Sequence, residues 1–255
     1  MLRGAVLVGL TLLLFRTALM ARDRSDGRDG SARGGSGRER EVVVLLHGLS
    51  RSPRSMRRIE TALAAAGYDV VNFGYRAGRR PIEDLSSDLD ARLAVFRGEQ
   101  GPRVSFVTHS FGGILLRYYL KDRPLPNVGR VVMLSPPNGG SELADLLNRI
   151  PLARKAAGPN RPRLGTDAAG LPARLGPVDF ELGVITGSRT LNPIFSSLIP
   201  GPDDGFVGVG RARVEGMADF LVVPRTHAFI MKNRGVIRET LKFLRDGSFE
   251  HPQCA

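Results

Sequence analysis

Cysteine occurs once, as Cys254, beside the last residue of the chain. A single thiol excludes an intramolecular disulfide framework, and a terminal stretch is a poor place to hold a nucleophile. Tryptophan is absent and aromatic residues make up 6% of the sequence, so stacking platforms interleaved with bases are missing. Only four histidines are present, scattered as His47, His109, His227 and His251. No H-E-x-x-H and no cysteine pair accompanies them, so no metal site is assigned. The Gly34-Gly35 pair lies in a polar stretch rather than after a strand. No dinucleotide fingerprint arises there, and no cofactor is expected. Nothing repeats with a period of about 20 to 50 residues, which argues against a solenoid.

Acidic residues are in the minority, 25 against 37 lysines and arginines, for a net charge of +12. The excess is mostly arginine, spread along the chain and interleaved with acids, which reads as solvated surface and gives no nucleic-acid partner. Loose attraction to anionic lipid headgroups remains as an alternative use of that charge. The densest cluster is Arg51, Arg54, Arg57 and Arg58, at the start of an expected helix.

Long apolar runs are also missing. The longest one near the amino terminus, Gly4 to Phe15, falls short of the ~20 residues of a comfortable bilayer span. With Arg3 before it and small residues ending at Ala21, residues 1–21 read as a secretory signal peptide or a retained membrane anchor. The protein is accordingly expected to be exported, periplasmic or secreted, or held at a membrane. Residues 22–40 are Gly, Ser, Arg and Asp with almost nothing apolar, a linker that cannot bury enough surface to order itself.

What remains, 41–247, has the apolar content for one sizeable core, with 248–255 as a tail. Glu41–Leu46 is a continuous apolar run, as in a strand covered on both faces. Further strands are expected at Tyr68–Phe73, Val104–Val107, Val131–Leu134, Glu181–Thr186 and Asp219–Val223. Helical patterns fall at Pro53–Ala66, Pro81–Phe96, Gly113–Leu120, Ser141–Leu147 and Arg234–Leu244. Ile150–Pro177 reads as irregular. The alternation predicts an α/β fold: a doubly wound, mostly parallel sheet of about six strands with a short cap segment. Ligands in such sheets bind beyond the carboxyl ends of the strands.

The most informative stretch is Arg103–Leu116, RVSFVTHSFGGILL. An apolar strand stops at Ser110, and Gly112 and Gly113 open a helical pattern. A sharp strand-to-helix turn of this kind lifts a serine hydroxyl above the sheet. The positions two before and two after the serine are expected to press together. Gly112 suits that crowding and Thr108 suits it only in part. A serine hydroxyl needs a base, and the base needs an acid to orient it. His109 is next to Ser110, where side chains diverge; His47 is expected to fix its own turn; His251 lies in the tail. His227, after the sixth strand and Pro224, is left as the base. The acid belongs after the fifth strand, where Asp203 and Asp204 precede Gly205; Asp204 is preferred. An oxyanion needs two donors, for which the backbone N–H groups of Phe111 and Leu49 are placed.

Strand-His-Gly-Leu, T-H-S-F-G-G, S-P-P-N-G-G-S, D-D-G-F-V and the late T-H-A together resemble the bacterial lipase and esterase branch of the α/β-hydrolase superfamily, over about Glu41–Leu244. The resemblance implies a triad of Ser110, Asp204 and His227, with Leu49 and Phe111 donating to the oxyanion. Asn138, in a structural turn, is given no chemistry. The expected activity is cleavage of a small-molecule or lipid ester, with membrane-surface association as a further expectation. An acyltransferase, thioesterase or amidase would use the same groups, and a non-catalytic tethered module is the rival outside catalysis. Leu146, Leu147, Leu152, Leu164, Leu171 and Leu175 are expected either as an apolar roof over the site or as core.

Overall fold

Val42, Val44 and Leu46 turn to one side of β1 (Val42–Leu46), and Val43 and Leu45 turn to the other. All five are buried, so β1 needs cover on both faces, which only a central strand of a layered α/β fold receives. The computed structural model describes residues 41–98, 101–191 and 193–251. The expected leader and linker over 1–40, and Cys254, lie outside the described residues.

The other strands are β2 (Asp69–Phe73), β3 (Val104–His109), β4 (Val128–Leu134), β5 (Leu182–Gly187) and β6 (Asp219–Val223). They form a six-stranded sheet in the order β2-β1-β3-β4-β5-β6, and each described pairing is parallel. Between them run α1 (Arg57–Ala65), α2 (Ile82–Leu93), α3 (Phe111–Asp122), α4 (Glu142–Arg149), α5 (Pro151–Ala156), α6 (Leu171–Leu175), α7 (Pro193–Ser196) and α8 (Arg234–Asp246). Ile59 and Leu63 of α1 join Val236 and Phe243 of α8 in the core layer over Val43 and Leu45. Leu85 and Leu89 of α2 and Tyr119 of α3 close the opposite layer over Val44 and Phe106.

The chain steps from β1 outward to β2, then returns to the other side of β1 to lay down β3. That reversal is the point where an open parallel sheet leaves a crevice at its carboxyl edge. Leu46 pairs with Thr108, so the loops leaving β1 and β3 emerge side by side. The first turn of α3 then crosses close over the end of β1. A Cβ on Gly112 would stand 2.4 Å from the Leu46 carbonyl oxygen. The tightest crowding at Gly112 is thus with β1 and the loop after it. The Thr108 hydroxyl faces Gly113, where an added Cβ would meet it at 3.2 Å.

Residues 150–177 are not irregular throughout: α5, α6 and a 3-10 turn at Arg161–Leu164 lie within them. These pieces are too short to be stable by propensity alone, so tertiary bonds hold them. Arg117 of α3, 4% exposed, donates to the carbonyls of Pro172 (3.4 Å) and Gly176 (2.5 Å). The same guanidinium bonds the Asn138 carbonyl at 3.2 Å and its Oδ1 at 3.1 Å, and Asn138 Nδ2 reaches the Ala212 carbonyl at 2.9 Å. Burial without a carboxylate holds the Arg117 pKa down to about 10. Asn160 anchors the 3-10 turn by donating to the carbonyls of Ala77 (2.6 Å) and Arg80 (2.8 Å).

The residues expected as a free tail begin as part of the domain. Phe249 is buried against Phe243, and its N–H donates to Asp219 at 2.7 Å. Among the described residues no helix is long and apolar enough to cross a membrane.

Gly112→Ala is expected to lower stability by about 1–3 kcal/mol, because it forces backbone against backbone. Gly113→Ala, which meets only the ends of Met133 and Thr108 and Pro136 Cβ at 3.0–3.3 Å, is expected to cost less. Urea unfolding of the two variants checks the ranking.

Candidate active site

Ser110 stands between the last residue of β3 and the first of α3 with φ +53° and ψ −123°. A non-glycine residue there is strained, and here neighbouring bonds impose the conformation. The Ser110 N–H donates to the Leu134 carbonyl at 2.9 Å, and its carbonyl accepts from Gly113 at 3.0 Å. The hydroxyl is aimed away from the strand, 3.0 Å from His227 Nε2.

His227 follows β6 in the loop after Pro224. Its Nδ1 lies 2.9 Å from Asp204 Oδ2, and its own N–H donates to the Asp204 carbonyl at 2.9 Å. Asp204 is buried, and its other oxygen accepts from the N–H groups of Phe206 (3.0 Å) and Val207 (2.8 Å). Both carboxylate oxygens are thereby satisfied, which is what allows a charge to stay out of water. Gly205, at φ +94°, permits the reversal that brings those two N–H groups back onto the carboxylate. Asp203 is turned elsewhere: it accepts from the Gly205 N–H at 2.7 Å and from the Ser196 hydroxyl of α7. Of the two candidate acids, Asp204 is the one that meets His227.

The remaining histidines are accounted for differently. His47 Nδ1 donates to the Gly48 carbonyl at 2.9 Å, and its ring stacks on Tyr75 at 4.1 Å. Tyr75 in turn donates to the His47 carbonyl, so the loop after β1 is fixed from both sides. His251 contacts Asp219 at 2.7 Å, far along the chain from the site. His109 has a role that adjacency to Ser110 conceals: its Nε2 donates to the His227 carbonyl at 3.0 Å, bracing the loop from below. The only signal for it in the sequence is a histidine closing a strand that leads into the serine turn.

Phe111 directly follows Ser110, and Leu49 lines the same cleft as Ser110. Phe111 opens α3, where the first N–H groups of a helix have no acceptor within it. Gly48 lets the loop after β1 come close: a Cβ there would stand 2.9 Å from His109 Nδ1 and 3.3 Å from Ser110 Cβ. The cleft above these groups holds about 280 Å³. Leu49, Leu164, Leu191 and Phe206 form its apolar walls, and Ser110 and His227 its floor. Arg51 and Arg161 also line it.

The six leucines do not make one roof. Leu171 and Leu175 belong to the core with Leu164, Leu152 is 78% exposed, and only Leu164 among them lines the cleft. Among the described residues no group of His, Cys, Asp and Glu is arranged to hold a metal ion.

Burial lowers the pKa of His109 well below 6.5, with the charge of His227 adding to it, and burial also lowers that of His47. Groups with depressed folded values stay neutral to lower pH in the native state than in the unfolded chain, so between the two values unfolding takes up protons. Stability is therefore full above 6.5 and falls as pH drops below it, by at most about 1.4 kcal/mol per pH unit for each such histidine. Urea unfolding at pH 7.5 and pH 5.5 is expected to show this loss, and His109→Gln to flatten it.

The sequence matches the model of the alpha/beta hydrolase family over residues 43–237. No curated protein matches it in sequence. Among solved structures, the mature lipase BlEst2 of Bacillus licheniformis is similar at TM-score 0.64 and 19% identity, over 85% of this chain and 96% of its own. The phospholipase PlaB of Legionella pneumophila gives 0.61 and 16%, over 83% of this chain and 60% of its own. The metagenomic carboxyl esterase MGS0156 gives 0.54 and 18%, over 80% and 71%. At such identities the likeness carries the fold and not the substrate. Sheet order, the serine turn after β3 and the span of the family match lead to one assignment: the chain belongs to the alpha/beta hydrolase family.

Proposed function

We propose that the protein is a serine hydrolase that cleaves carboxylic esters through an acyl-enzyme. The observation that carries the reading is the continuous chain from Ser110 Oγ through His227 to Asp204, with steps of 3.0 and 2.9 Å. His227 Nε2 removes the proton as Ser110 Oγ attacks the ester carbonyl, and the same proton passes to the leaving alcohol. Asp204 holds the imidazole in the tautomer with a proton on Nδ1 and stabilises the imidazolium while it exists. The N–H groups of Phe111 and Leu49 receive the negative charge on the tetrahedral oxygen, a contribution of about 3–4 kcal/mol per donor in comparable sites. Water then attacks the acyl carbonyl as His227 takes its proton, and that proton returns to Ser110 Oγ as the acid is released.

The lipase, phospholipase and carboxyl esterase names of the structural neighbours support an ester as the substrate. Four apolar side chains on the cleft walls support an acyl group as the part that it encloses. The expected leader would take this activity out of the cytoplasm or hold it at a membrane.

Ser110→Ala is expected to reduce turnover of a p-nitrophenyl ester by at least about 1,000-fold, and Asp204→Asn by about 10,000-fold. The Ser110→Ala protein should unfold at an unchanged urea midpoint and should lose labelling by a fluorophosphonate probe. Wild-type rates in the Ser110→Ala variant would remove the proposal.

A further inference from the structure

The cleft contains one carboxylate and two guanidinium groups, and the carboxylate is fully engaged. Asp204 accepts from His227, Phe206 and Val207 and has a fully buried side chain. Arg51 and Arg161 line the same space, and neither has a carboxylate within 4.0 Å among the described residues. Arg51 spends one N–H on the Ala228 carbonyl at 3.3 Å, which sets its guanidinium beside the His227 loop. Arg161 is half-buried, and its Nε is shielded from solvent without a hydrogen-bond partner.

Two residues further on, Arg163 behaves quite differently. It turns outward and grips Glu83 with both carboxylate oxygens at 2.8 and 3.0 Å. The 3-10 turn at Arg161–Leu164 thus sends one arginine to an acid on α2 and the other into the cleft with no acid. A buried donor left without an acceptor costs free energy, and so does a half-buried cation without a counter-charge. The cost is recovered when an anion occupies the space. Arg51 is exposed like its neighbours Arg54, Arg57 and Arg58, but of the four only Arg51 lines this cleft.

We propose that Arg51 and Arg161 recognise an anionic group on the substrate, so that the preferred ester carries a phosphate or carboxylate beside its scissile bond. This rests on the proposed hydrolase reading for the chemistry, though not for the binding. Guanidinium groups suit such groups because their N–H forks match two oxygens at once. The lining also includes the apolar side chains of Leu49, Leu164, Leu191 and Phe206. An amphiphilic acyl ester with a charged headgroup meets both kinds of lining, whereas a neutral ester leaves the two guanidinium groups unanswered.

Binding is separated from turnover by working in the Ser110→Ala protein. Titration calorimetry with decyl phosphate, below its micellar concentration, is expected to show binding at least about 10-fold tighter than with decanol. Arg161→Gln and Arg51→Gln should each lower that preference by about 3-fold, and Arg161→Lys, which keeps the charge without the fork, should keep only part of it. In the active protein, the ratio of kcat/KM for decanoyl glycerol phosphate over decanoyl glycerol should fall in the same variants, chiefly through KM. Equal affinity for decyl phosphate and decanol, or a preference that survives the double Arg→Gln substitution, would overturn the proposal. If the wild type turned over neither ester while decyl phosphate still bound through the arginines, the hydrolase reading would fall and the anion site would stand.

Discussion

The first turn of α3 lies against the end of β1 with almost no clearance, a Cβ on Gly112 falling 2.4 Å from the Leu46 carbonyl oxygen. Much of the site's geometry follows from that approach. To reach it, the chain must reverse within one residue of the end of β3, and Ser110 takes up the reversal at φ +53°. The same approach brings the loop after β1 under the new helix, where Gly48 passes between His109 and Ser110. The strain at one residue is offset by a sheet in which β1 and β3 are buried on both faces and share a five-residue register. A rigid scaffold is thus the condition for a serine that projects, rather than packs.

Electrostatics at the site are arranged by desolvation as much as by contact. Three donors converge on the buried Asp204 carboxylate. His109 stays neutral because burial and the neighbouring His227 both oppose its protonation. A neutral imidazole can brace the His227 carbonyl without adding a competing positive charge beneath the imidazolium of the proposed reaction. The positive charge is instead kept at the walls, on Arg51 and Arg161, where a substrate can meet it.

Much of this layout is legible in the residues. EVVVLL reads as a central strand because nothing in it tolerates solvent, and β1 is that strand. His227 is reached by elimination because the other three histidines sit at positions with evident local partners or none. Asp204 is preferred over Asp203 by its place before Gly205, and the two carboxylates do turn in opposite directions. What escapes is whatever depends on distant parts of the chain. His109 and the His227 carbonyl are 118 residues apart, and no spacing rule links them. The helices α5 and α6 are too short to announce themselves; Arg117 and Asn160 hold that region from outside. Apolar character alone marks Leu171 and Leu175 equally as roof or as core, and packing against α3 decides for core.

Arg117 joins α6 to the helix that begins at Ser110, through carbonyl oxygens that water would otherwise have to solvate. A guanidinium so placed makes the stretch between β4 and β5 continuous with α3 rather than a flap on a hinge, and the free-energy cost of ordering that stretch is met once, during folding.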